Sequence, residues 1–178
     1  MIPTVFVNDS LRLIVNWRIA ENAGFQEELI PEYASFELVE EYRDVLTVMR
    51  DFYDKRFSFG LELDAGSFRE IAERRLYLSG DSLGAAWLLG AMCRFFARPF
   101  PIGVLAWGAL KPIRNGGFAL FETGGTDMKI RAAAEGGYST IVVHEDEAIP
   151  EFDGEVVRLS GELARDLKIL ERVIHGRP

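Results

Sequence analysis

The run Ser82 to Cys93, S-L-G-A-A-W-L-L-G-A-M-C, is apolar on nearly every side, and beyond Arg94 the apolar character resumes at Phe95 and Phe96. A helix that is apolar all round has to be covered all round, so the rest of the chain must wrap it. These 12 residues fall short of the roughly 20 a membrane span needs. The run therefore marks the centre of a packed core. Pro99 and Pro101 end it, because proline lacks an N–H and disfavours the α conformation before it.

What must do the covering is legible in the flanking periodicities. Ile2–Val7 and Leu11–Trp17 are β-branched runs separated by Asn8-Asp9-Ser10, which predicts a hairpin. Glu21 to Pro31 is polar, with a further strand expected near Phe25. From Glu32 the period becomes helical: Leu38, Val39, Tyr42, Val45, Leu46, Met49, Phe52 and Tyr53 recur at three- and four-residue steps. Glu37, Glu40, Glu41, Asp44 and Asp51 read as the solvated face of this helix, which ends near Lys55.

Phe57–Asp64 alternates as a strand, and Ala65 to Gly80 reads as a charged loop with a helical turn. Ile102–Trp107 and Phe118–Phe121 are strand-like and flank a turn over Lys111–Gly117. Met128–Glu135 is a short helix bounded by Gly124-Gly125 and Gly136-Gly137, followed by strands at Thr140–Val143 and Val156–Leu159. Ser160 is expected to cap a last helix with Leu163, Leu167, Leu170, Val173 and Ile174 on one face. Strands and helices interleave without repeats or linkers. The expectation is one two-layer α/β (α+β) domain over 1–178, with N-terminal strands in 1–31 and the core in 32–178.

Composition narrows the function classes. The chain has 178 residues, 48% hydrophobic and 27% charged, which is globular usage with enough length for a core without staples. Twenty Lys and Arg against 28 Asp and Glu give a net charge of −8, which argues against nucleic acid as a partner. Cys93 is the only cysteine and His144 and His175 the only histidines, so neither a disulfide framework nor a metal site is expected. Cys93 reads as core. The N-terminus lacks the basic stretch and cleavage site of a secretion signal, and a cytoplasmic protein without membrane attachment is expected.

Two segments put a reactive side chain at a helix start. In Gly80-Asp81-Ser82-Leu83-Gly84, small residues permit a sharp turn and Ser82 falls at the positive end of the apolar helix. A serine there either caps the helix or offers its Oγ to a carbonyl while nearby N–H groups hold the oxyanion. In Gly124-Gly125-Thr126-Asp127-Met128-Lys129, the lysine lies in a first turn, where the dipole opposes a cation and favours a neutral amine. Such a lysine is either a surface residue or the base that takes a proton from a serine. Asp81 reads as an orienting residue for Lys129 or a loop N–H, or as a turn residue.

Together these segments resemble the proteolytic domain of Lon peptidases, a Ser–Lys family. Gly80-Asp81-Ser82 is similar to the nucleophile motif of the archaeal, membrane-type branch, and Gly124 through Gly136 is similar to the family's Gly-Gly-x-x-x-Lys-Ile-x-Ala-Ala-x-x-Gly run. Tyr138–Val143, Leu46–Arg50 and Phe57–Leu63 extend the resemblance over about residues 35–175. It implies a Lon-type α+β fold (ribosomal protein S5 domain 2-like), with Ser82 as nucleophile and Lys129 as base. It also implies an extended polypeptide substrate added along a strand edge near Phe57–Asp64 and the 65–79 segment, an oligomeric ring, in the family often a hexamer, and no cofactor or metal.

The chain departs from the family at named positions. Ser82 and Lys129 are 47 residues apart, slightly more than usual. The family's threonine-glycine pair near the site corresponds to Trp107-Gly108, and Leu83 replaces a smaller residue after the serine. No G-x-x-x-x-G-K-[ST] motif occurs, so any unfoldase would be a separate ATPase partner. Three readings stand: an ATP-independent peptidase, an inactive Lon-like module that binds peptide or protein, and, third, a small-molecule kinase holding phosphate at a Gly-rich helix start.

Overall fold

The structure, a computed structural model, describes residues 1–8, 11–20, 24–25, 35–78 and 82–176. Strand β1 (Ile2–Asn8) pairs antiparallel with β2 (Leu11–Ala20), from Ile2 opposite Trp17 to Asn8 opposite Leu11. This is the expected hairpin; its Asp9-Ser10 connection lies outside the described residues. The sheet continues through β4 (Gly60–Leu63), antiparallel to β2, and ends at β3 (Gly24–Phe25), parallel to β4.

The hairpin is buried on both faces, as its alternation dictates. Ile2, Leu13, Val15 and Trp17 join one apolar cluster, while Val5, Val7 and Ile14 pack into another. The first cluster holds helix α1 (Phe36–Phe52) and helix α3 (Gly84–Phe95), the apolar run of the sequence. Every α3 residue from Gly84 to Cys93 is buried, so the wrapping demanded by its composition is achieved. Trp87 of α3 meets Trp17 edge-on, with ring centroids 5.3 Å apart, a geometry worth about 1 kcal/mol beyond the area buried.

The second cluster holds helix α4 (Thr126–Glu135) through Ile130, Ala132 and Ala133. Arg12 on the same hairpin face pairs with Glu135 at 3.0 Å. Helices thus cover both faces of the hairpin, and the expected two layers become three there. A parallel sheet of β5 (Val104–Ala106), β8 (Thr140–His144) and β9 (Glu155–Leu159) divides its side chains between the same clusters.

Three expectations are corrected by local contacts. Residues 65–74 form a helix, α2 (Ala65–Arg74), because Asp64 caps it by accepting the N–H groups of Gly66 and Ser67. The turn expected over Lys111–Gly117 starts later, because Ala109–Pro112 forms a strand, β6, antiparallel to β7 (Phe118–Phe121). The last helix, α5 (Leu163–Ile174), has Glu162 at its N-cap, not Ser160. Ser160 instead donates its hydroxyl to buried Asp166, which also accepts the N–H groups of Ser160 and Gly161. No helix among the described residues is long and apolar enough to cross a membrane.

Candidate functional site

Ser82 is half-buried and directly precedes Leu83, the N-cap residue of α3. Among the described residues its hydroxyl makes no hydrogen bond to the helix start. The capping work is done by Glu41 of α1, whose Oε2 accepts the Leu83 N–H at 3.1 Å. Oε1 of the same carboxylate accepts the Leu110 N–H of β6 at 3.2 Å. Glu41 is only 3% exposed, which overturns its place on a solvated face. Its position shows why: Glu41 is three residues after Leu38 and four before Val45, squarely in the apolar stripe. Glu37 is exposed and Glu40 and Asp44 are partly so.

Close approach of two backbones requires the glycine at 84. A methyl group there would lie 2.6 Å from the Leu110 nitrogen and 2.8 Å from Glu41 Oε1. The junction is completed by Gly108, which donates its N–H to the Ser82 carbonyl at 3.1 Å and accepts the Ala85 N–H at 3.0 Å. The N–H groups of Leu83 and Ala85 are therefore engaged within the fold. The expected oxyanion donors at this helix start narrow to those of Ser82 and Gly84.

Lys129 lies at the start of α4 and is 2% exposed. The helix begins after Gly125, in the left-handed conformation at φ 76°, which glycine adopts freely. The amine of Lys129 donates to Thr123 Oγ1 at 2.6 Å and lies 5.9 Å from the centroid of the Trp107 ring. Among the described residues the Ser82 hydroxyl has no hydrogen-bond partner, Lys129 included. The two motifs nonetheless converge on one dipeptide: Trp107 faces Lys129 and Gly108 binds the backbone of Ser82. Trp107 is fully buried, and its indole N–H has no partner among the described residues. Gly80 and Asp81 lie outside the described residues.

Sequence reasoning missed Thr123. Its signal was a Thr-Gly pair six residues before the lysine, while the resemblance directed attention to Trp107-Gly108. Glu147, 4% exposed, was also missed; it accepts the Thr123 N–H at 2.7 Å and its hydroxyl at 3.2 Å. It sits in the acidic run Glu145-Asp146-Glu147, where nothing in the sequence distinguishes it.

The strand expected over Phe57–Asp64 is β4, Gly60–Leu63. It has β2 on one side along its length and β3 on the other at Gly60 and Leu61. No group of His, Cys, Asp and Glu among the described residues is placed to hold a metal ion. Cys93 is buried, as a core residue would be, and burial pushes its thiol up to about 11 against the smaller opposing effect of the amino terminus. Comparison with protein-family models and with curated proteins found no match.

Proposed function

We propose that this chain is a Lon-like serine endopeptidase that cleaves unfolded or flexible polypeptide without ATP. The observation that carries the reading is the convergence of a half-buried serine and a buried lysine, from two helix starts, on Trp107-Gly108. Ser82 Oγ attacks the scissile carbonyl carbon as its proton passes to the neutral Lys129 amine. Lysine returns that proton to the leaving amine, and water then releases the acyl group from serine by the same route. The Ser82 and Gly84 N–H groups would stabilise the oxyanion. Leaving the serine hydroxyl out of the helix cap suits a nucleophile, since a capping hydroxyl would already be engaged.

The test is cleavage of a fluorescently labelled, permanently unfolded polypeptide. Ser82→Ala is expected to abolish it, a loss of about 1,000-fold or more, with an unchanged melting temperature. Full activity in that variant would refute the mechanism. The resemblance also carries a ring of copies, in the family often a hexamer, and a separate unfoldase as partners; sedimentation of the wild-type chain tests the first.

A second reading, an inactive module that binds peptide or protein, is favoured by Glu41, which fills one N–H at the α3 start, and by Trp107 in place of the family's threonine. Wild-type protein that binds the unfolded polypeptide at unchanged length would establish it.

A further inference from the structure

Glu147 is enclosed in the connection between β8 and β9, and the main chain around it is tied down. Its N–H donates to the His144 carbonyl at 3.1 Å, and Arg158 Nη1 of β9 donates to the carbonyls of Glu145 at 2.8 Å and Glu147 at 3.0 Å. The carboxylate collects three donors: the Thr123 N–H, the Thr123 hydroxyl and the Thr126 hydroxyl. A carboxylate has only acceptors to offer, so it fixes where both hydroxyl protons point. With its proton directed to Glu147, Thr123 Oγ1 turns a lone pair to the Lys129 amine 2.6 Å away.

We infer that Glu147 is a positioning residue for Lys129, acting through Thr123, an inference that rests on the reading of Lys129 as the base. A general base needs its lone pair free for the nucleophile, and an amine keeps it free when its neighbours accept its N–H groups. Thr123 without Glu147 could rotate and donate to that lone pair instead. The relay of carboxylate, hydroxyl and amine removes this option by geometry. It also brings α4 and the connection before β9 to one point, so the amine is held by two separate parts of the chain.

The experiment uses the full chain with Glu147→Ala, Glu147→Gln, Thr123→Val and Thr123→Ser. Two readouts are taken: kcat and KM on the unfolded polypeptide, and the rate of reductive methylation of Lys129 by formaldehyde and borohydride, followed by peptide mass mapping. Glu147→Ala and Thr123→Val are expected to lower kcat at least 10-fold with KM within 2-fold, and to change the methylation rate at least 3-fold. Glu147→Gln and Thr123→Ser, which keep an acceptor and a hydroxyl, should recover most of both. If Glu147→Ala does not fold, Thr123→Val and the two conservative variants decide. A folded Glu147→Ala or Thr123→Val with wild-type kcat and methylation rate overturns the inference. If the wild-type chain cleaves nothing, the peptidase reading fails, and the methylation rates alone decide whether Glu147 holds Lys129.

Discussion

The starts of α3 and α4 solve the same problem in opposite ways. Each leaves N–H groups without helical partners and carries a positive dipole end. At α3 a carboxylate from a distant helix, Glu41, fills the Leu83 N–H and welds the junction to β6. At α4 the turn is made by a left-handed glycine, which has no side chain to cap it, and a buried lysine sits in the first turn. The first start is rigid and leaves its serine hydroxyl unused. The second places an amine that must be steadied from outside, by Thr123. A nucleophile needs a fixed backbone; a base needs a fixed side chain.

Substitutions at the two starts should separate these roles. Lys129→Met keeps the buried stem and removes the amine. Cleavage is expected to fall about 1,000-fold while the melting temperature stays within a few degrees. Unimpaired cleavage would break the comparison at its base. Glu41→Ala strands two buried N–H groups, each costing about 1–3 kcal/mol, so roughly 2–6 kcal/mol of stability should be lost in urea titration. Glu41→Gln, which keeps one acceptor, should cost about 1 kcal/mol.

Gly84→Ala forces a methyl against the Leu110 backbone and should cost about 2–3 kcal/mol. Gly125→Ala meets the Val7 side chain at 2.7 Å in a left-handed turn and should cost about 1–2 kcal/mol. Equal costs would mean the α3 start is no tighter than the α4 start.

The smallest effect lies deeper in α3. The buried Cys93 thiol ionises only near 11 in the fold, whereas an unfolded thiol does so near 8.5. The folded state is the one with the raised value, so this group costs no stability below about pH 8 and an increasing amount as pH rises from there towards 11. Comparing urea midpoints of wild type and Cys93→Ala at pH 7 and pH 10 should show wild type losing slightly more.

Much of the scaffold was legible because periodicity records burial. The hairpin, α1 and the strands near 140–143 and 156–159 follow from apolar runs or helical spacing, α3 from being apolar on every side, and α4 from the glycine pairs that bound it. The α+β class follows from their interleaving. What escaped was set by contacts across the chain. Glu41 is polar, so a hydrophobic pattern assigns it to water, although its neighbours Leu38 and Val45 place it inward. Helix α2 hides because its apolar positions are few and its start depends on the Asp64 cap. At the site, Ser82 and Lys129 stood out as motifs, whereas Thr123 and Glu147 are ordinary residue types whose meaning lies in a shared hydrogen bond.

The bond from Glu41 has a kinetic side. It joins residues 42 and 69 positions apart, to Leu83 and Leu110. Contacts of such separation form late, after the entropy of closing long loops has been met. The start of α3 at Leu83 can therefore reach its native setting only once α1, α3 and β6 have come together. The nascent chain would carry its serine in an unfinished setting until the hairpin of β6 and β7 has been added. Amide exchange at Leu83 and Leu110 would then proceed only through global opening, among the slowest in the molecule.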